Sequence, residues 1–185
     1  MDDLYIRKVL NGQTEEFRYF IKQYKDLAYS VAFSVVKNEF TAAEVVQESF
    51  VKAFENLKSF KGESKFSTWL CRIVINESFK TIRKEKRTVS ETGQVSGTDF
   101  QENPAIFDAL KEIEQKYYIN ECLNRLPANE SLVLRLFYLA ENSVKEICEM
   151  TGWSESNTKV HLHRGRKNML ELLQRMLNTE VKSIY

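Results

Sequence analysis

The sequence predicts an all-α protein, two small helical domains joined by a flexible linker, with a helix-turn-helix in the second. Three observations predict it. Only two prolines and six glycines occur in 185 residues, so strand punctuators are scarce, while Leu, Lys, Glu and Val abound. Apolar residues recur at three- and four-residue steps on both sides of the middle of the chain. Between those regions, residues 88–103, TVSETGQVSGTDFQEN, carry Ser, Thr, Gly and Glu with no sustained period and read as a mobile linker. Helical domains of about 80 residues fold alone, so the length accommodates two.

In the first half, Phe17, Phe20, Ile21, Tyr24, Leu27, Ala28, Val31, Ala32 and Val35 form one amphipathic stripe. Thr41 with Glu44 predicts a capping box for a second helix, whose buried stripe is Ala43, Val46, Phe50, Phe54 and Leu57. After the loop SFKGESKFS, a third helix runs from about Thr68 to Arg87 and ends in the cations RKEKR, which suit a helix carboxyl end. In the second half, a helix ends at Pro127 and Asn129 caps another that holds Leu132, Val133, Leu136 and Phe137. Ser143 and Glu146 form a capping box for the short helix SVKEICEM, Thr151-Gly152-Trp153 makes a turn, and Ser154 caps a longer helix to about Met176. A helix, a glycine turn and a second helix are the layout of a major-groove reader, although plain helical hairpins share it.

The net charge of +1 hides a segregation. Residues 61–87 hold eight basic side chains against three acidic, 88–116 hold two against six, and 153–177 hold five against two. Two basic regions therefore flank an acidic spacer, a distribution suited to binding a polyanion at two places. Cys71, Cys122 and Cys148 share no ligand spacing and sit among apolar residues, so buried free thiols in a reducing cytosol are expected. No apolar run is long enough for a bilayer, and MDDLYIRKVLNG lacks signal-peptide order, so a soluble cytoplasmic protein without membrane insertion is expected.

Chemistry finds no foothold. His161 and His163 are two residues apart, on different faces of a helix, and do not make a zinc site. No nucleophile triad, phosphate loop or carboxylate pair stands out, so neither an enzyme nor a cofactor or metal is expected.

Two faces suit nucleic acid. On the third helix, Arg72, Asn76, Lys80, Arg83 and Arg87 fall within an arc of about 80°, beside the core stripe of Phe66, Leu70, Ile73 and Val74, with Trp69 at the boundary. An aromatic ring next to cations and an amide is what unstacked bases require. Taken singly, Trp69 is better accounted for as a half-buried ring on a solvated charged helix. On the last helix, Thr158, Leu162, Gly165, Met169 and Leu173 point inward, while Ser156, Asn157, Lys159, Val160, His163, Arg164 and Lys167 point outward. Those outward side chains suit phosphates, guanine edges and, for Val160, a thymine methyl, although a solvated basic face has the same composition.

The stretch AAEVVQESFVKAFENLKSFKGESKFSTWLCRIVINESFKTIRKEKR resembles the second conserved region of extracytoplasmic-function sigma factors of the sigma-70 superfamily. LNRLPANESLVLRLFYL and the following helix-turn-helix resemble the fourth. The resemblance implies a transcription-initiation subunit with three parts. Residues 1–87 would bind core RNA polymerase and melt and read the minus-ten element, 88–116 would be the acidic linker, and 117–178 would read the minus-thirty-five element as duplex. By position, Asn76 matches the base-reading asparagine, and Phe60, Lys61, Gly62, Glu63, Ser64, Lys65, Phe66 and Ser67 match the loop that cages a flipped base. Glu44, Gln47, Glu48 and Lys52 match the polymerase contact, and Lys159, Val160, His163 and Arg164 match the minus-thirty-five readers. The partners implied are core polymerase, promoter DNA and an anti-sigma factor. Thr41, Ala42 and Ala43 stand where the family carries acidic residues, and the two histidines and Lys159 stand where arginines are frequent.

Two other classes stay open on the residues alone. A stand-alone helix-turn-helix repressor or activator would normally dimerise, and no heptad seam is present for that. A helical adaptor without a nucleic-acid role is separated by a salt titration, because DNA binding through several phosphates weakens steeply with salt.

Overall fold

The computed structural model describes residues 1–92 and 112–183, with side chains at 1–85 and 115–176. All regular elements among them are helical, as expected. Most of the linker lies outside the described residues, and its two ends are helical.

Helix α1 (Asp2–Leu10) was not foreseen, being too short to show a strong period. Asp2 and Asp3 in its first turn and Arg7 and Lys8 in its last complement the helix dipole. Nine residues are marginal alone, so docking holds it. Ile6 and Val9 are buried, the Tyr5 and Tyr19 rings stack 3.9 Å apart, and the Asp2 carboxylate accepts from Tyr19 Oη at 2.9 Å and Tyr24 Oη at 2.6 Å.

A 3-10 turn at Thr14–Phe17 leads into α2 (Arg18–Val36), which buries Phe20, Ala28, Val31, Ala32 and Val35 and ends at Lys37 in the left-handed conformation. Helix α3 (Glu39–Glu55) starts three residues before the expected capping box. Asn38 caps it by accepting from Thr41 N at 2.9 Å, because the chain reverses directly after Lys37 and leaves no room for a later start. Phe50 and Leu57 are buried as expected, but Ala42, Val45, Ser49 and Ala53 complete the buried face, and Ala43 and Phe54 are exposed. Helix α4 (Phe66–Thr92) buries Phe66, Leu70, Cys71, Val74, Ile75 and Ser78, and Phe20 and Phe66 meet with ring centroids 4.2 Å apart.

The second half contains α5 (Glu112–Arg125), α6 (Ala128–Leu134), a π-helical turn (Arg135–Leu139), α7 (Val144–Thr151) and α8 (Glu155–Ser183). Pro127, not Asn129, stands at the α6 N-cap, where its missing N–H costs nothing. Leu123, Leu132, Leu134, Leu136, Ile147, Met150 and Leu162 form its core. Gly165 brings α8 against α6: a Cβ there would stand 3.1 Å from Leu134 Cγ.

The two halves pack together, α2 on α6 and α4 on α7, and their buried residues form one continuous core. Polar contacts among the described residues cross the seam. Lys37 Nζ donates to Leu123 O at 2.9 Å, an Arg135 Nη donates to Ser30 Oγ at 3.1 Å, and Lys65 Nζ pairs with Glu146 Oε1 at 2.9 Å. Among the described residues no helix is long and apolar enough to cross a membrane.

Candidate nucleic-acid interface

Helix α4 inherits its two-sided character from its residues. Leu70, Val74 and Ser78 go inward, and Arg72, Asn76, Lys80 and Arg83 are exposed along the opposite face. The side chain of Arg87 lies outside the described residues. Trp69 is half-buried, with Phe60 and Phe66 at ring-centroid distances of 5.4 and 5.5 Å. One loop of the expected base cage, 60–67, thus supplies two rings that hold Trp69 at the edge of the α4 face.

The loop is anchored unevenly. Phe66 is buried and caps the aromatic cluster, Phe60, Ser64 and Ser67 are half-buried, and Lys61, Gly62, Glu63 and Lys65 are exposed. Gly62 has φ of +73°, a conformation costly for any residue with a Cβ.

Beside Trp69 opens a pocket of about 360 Å³ lined by Lys52, Asn56, Ser59, Trp69, Arg72, Ile73, Asn76 and Glu77. Trp69, Arg72 and Asn76, expected on one side of the third helix, line this pocket together. Asn56, Ser59 and Glu77, which come from two elements and have no common periodicity, were not expected there. Glu77 is held by Lys52 Nζ at 2.6 Å and Lys80 Nζ at 3.5 Å, both on Oε2. Burial alone would raise the Glu77 carboxyl, but the hydrogen bond and charge of Lys52, with Lys80 behind it, hold it below its ordinary value. Lys52 also reaches Glu48 Oε1 at 3.2 Å.

Glu44, Gln47 and Glu48 lie exposed on α3, with Phe40 and Val51 on the same side 73% and 52% exposed. Lys52 departs from that set. Its ammonium turns toward α4 and belongs to the pocket wall.

The hairpin of α7 and α8 is braced locally. Ser143 Oγ accepts from Glu146 N, and Glu146 Oε2 accepts from Ser143 N at 2.9 Å, so the capping box forms as its residue pattern required. Gly152 takes φ of +73° in the turn, and Ser154 Oγ accepts from Asn157 N at 3.2 Å. Thr158 and Leu162 are buried, whereas Ser156, Asn157, Lys159, Val160, His163, Arg164 and Lys167 are all exposed. Glu155, Ser156, Lys159, Val160, His163 and Arg164 line one open groove. Glu155 was not foreseen there, and it pairs with Lys159 at 2.5 Å. His161 instead packs on Trp153 with ring centroids 4.8 Å apart, and burial lowers its pKa. Cys71 and Cys122 are buried as expected, while Cys148 is only half-buried, its Sγ 3.3 Å from Thr158 Oγ1.

Known proteins align with both halves. Residues 20–88 match the family described as Sigma-70 region 2, and residues 116–169 match Sigma-70, region 4. The ECF RNA polymerase sigma factor SigW of Bacillus subtilis (strain 168) is 30% identical over 177 residues, covering 91% of this chain and 95% of the relative. The ECF RNA polymerase sigma factor SigM of the same organism is 29% identical over 159 residues, covering 86% and 96%. Among solved structures, the sigma factor RpoE of Bartonella quintana, in complex with the anti-sigma factor NepR, superposes with a TM-score of 0.71 at 23% identity, covering 86% of this chain and 98% of that one, which shows a common fold.

Proposed function

The chain belongs to the extracytoplasmic-function RNA polymerase sigma factors, and from that membership we propose that it is the promoter-specificity subunit of a bacterial RNA polymerase, one that recognises and melts promoter DNA and directs initiation. The observation that carries this reading is the presence of two separate exposed basic rows in one chain, Arg72-Asn76-Lys80-Arg83 on α4 and Lys159-His163-Arg164-Lys167 on α8. The first adjoins an aromatic-walled pocket, which suits an unstacked strand. The second faces out from a helix-turn-helix, which suits duplex.

The roles divide along the chain. Residues 1–87 bind core polymerase and take the minus-ten element, 88–116 connect, and 117–178 take the minus-thirty-five element. Glu44, Gln47 and Glu48 meet the polymerase. The loop 60–67 closes over a flipped base, Asn76 reads a base edge, and Arg72, Lys80, Arg83 and Arg87 hold phosphates. Ser156, Asn157, Lys159, Val160, His163 and Arg164 read the upstream duplex, with Lys167 as an anchor. The protein acts in the cytoplasm, is not an enzyme and needs no cofactor. Melting needs no hydrolysis where one strand is bound better than duplex: unstacking costs a few kcal/mol per step, and stacking on protein aromatics returns about 1–3 kcal/mol per base.

The closed packing has a consequence for this role. Elements centred about 25 base pairs apart are separated by about 85 Å of duplex, and a body in which α4 touches α7 does not span that length. Polymerase therefore has to hold the halves apart, and an anti-sigma factor, the partner class of the solved RpoE relative, has to keep them from it.

The test is co-purification with core polymerase followed by run-off transcription. Promoter-dependent transcripts are expected, with Asn76→Ala lowering open-complex formation while core binding stays intact. Nanomolar sequence-specific duplex binding by the free protein would instead support a stand-alone repressor or activator.

A further inference from the structure

The pocket beside Trp69 has an acidic wall, which phosphate binding does not explain. Every other ionisable group that lines it, Lys52 and Arg72, is cationic, and the neighbouring Lys80 and Arg83 extend the positive row. Glu77 is paired with Lys52 and Lys80, and beyond those pairs it adds an acceptor that a phosphate cannot use. Glu77 is mostly withdrawn from solvent, its side chain 16% exposed, and Lys52 and Lys80 both contact Oε2, which leaves the second oxygen for a ligand in the pocket. Asn56, whose Nδ2 donates to Lys52 O at 2.8 Å, ties the rim beneath Lys52. The wall is thus a fixed hydrogen-bond acceptor next to an aromatic edge and the Asn76 amide, in a volume of about 360 Å³, within the range of small-molecule sites.

We propose that Glu77 makes this pocket select a base that carries an exocyclic amino group, cytosine, adenine or guanine, over thymine, which has none. An ionised carboxylate accepts from the N4 amine of cytosine, the N6 amine of adenine or the N2 amine that guanine exposes once unpaired, and repels the O4 of thymine. The lysine pair supplies what the discrimination needs, because it keeps the carboxylate charged and fixed in one rotamer. Glu77 is therefore a specificity residue, distinct from Asn76 one position before it. This rests on the chain's acting as a sigma factor on melted DNA.

The measurement uses holoenzyme reconstituted with the full chain. Fork-junction probes carry each of the four bases, in turn, at every position of the single-stranded minus-ten segment. At one position cytosine, adenine and guanine should be preferred over thymine by about 5- to 150-fold, and Glu77→Gln and Glu77→Ala should bring that ratio to within about threefold of unity. A wild-type control needs no variant: 2-pyrimidinone, which is cytosine without its amine, should lose binding at that position and at no other. If Glu77 only orients Lys52, both variants lower binding to all four bases equally and 2-pyrimidinone binds like cytosine, which overturns the assignment. A wild-type holoenzyme that assembles and opens promoters but shows no amino preference at any position also overturns it, with the sigma role left standing. A chain that binds no core polymerase overturns both.

Discussion

Lys65 and Glu146, 81 residues apart in the chain, form an ion pair of 2.9 Å that joins the base-cage loop to the first turn of the reader hairpin. One oxygen of Glu146 serves Lys65 and the other closes the α7 capping box, so a single carboxylate finishes a helix and bridges the halves. The hydrogen bond from Lys65, with those from Ser143, holds the Glu146 carboxyl down to about 2.

Removing either partner therefore has unequal effects. Lys65 is largely exposed, so Lys65→Ala should cost at most about 1 kcal/mol, less in high salt. Glu146→Ala also breaks the capping box and should cost more, about 0.5–2 kcal/mol. Because the Glu146 pKa is depressed on folding, its contribution is present above the usual glutamate pKa and is lost as pH falls toward about 2. Denaturant unfolding from pH 6 to 2 should show this loss in the wild type and not in Glu146→Gln.

Lys37 sits at the seam, and among the described residues no carboxylate pairs with it. Burial, together with the Arg135 charge facing it from the π-helical turn, lowers its ammonium to about 7. A neutral amine still donates to Leu123 O, so the closed form favours the deprotonated state, while an exposed Lys37 titrates near the ordinary lysine value. Closure releases a proton between about pH 7 and the ordinary value and should tighten as pH rises through that window. Energy transfer between fluorophores on α3 and α8 checks it, and Lys37→Met should flatten the dependence.

Gly165 lets α8 lie on α6. A Cβ would approach Leu134 Cγ to 3.1 Å and Glu130 Cβ to 3.4 Å. Gly165→Val forces the helices apart, and its cost of about 1–3 kcal/mol exceeds the modest gain in helix propensity. Thermal unfolding should show a lowered midpoint.

On α8 the expected division is between readers and anchors. Arg164 lines the groove at the front half of the helix, whereas Lys167 lies a turn farther along. Lys167→Ala should weaken all upstream sequences alike and lower the salt slope by about one. Arg164→Ala should flatten discrimination at one or two bases. Transcription from promoters varied one base at a time, with salt titrations alongside, separates the two outcomes.

The sequence by itself determined what depends on neighbours a few residues away. The stripes of α2 and α8, the break at Pro127, the Ser143–Glu146 capping box and the Gly152 turn are set by helical periodicity, capping chemistry and backbone freedom, all local. The same locality placed Arg72, Asn76, Lys80 and Arg83 on one exposed face. Tertiary structure decided wherever distant segments compete for one place. Asn38 displaced Thr41 as the α3 cap where the chain turns at Lys37, and packing buried Ala42, Val45 and Ala53 in place of Ala43, Val46 and Phe54. The α1 helix is held by tertiary contacts, with Ile6 and Val9 in the core, Tyr5 on Tyr19, and Asp2 on Tyr19 and Tyr24 of α2. Lys52 left the exposed α3 face for Glu77, and the acidic wall of the pocket arose from the approach of α3 to α4, which no spacing within either helix encodes. The closure of the two halves through Lys37, Arg135 and Lys65 is of the same kind, since contacts between residues far apart in the chain leave no period to read.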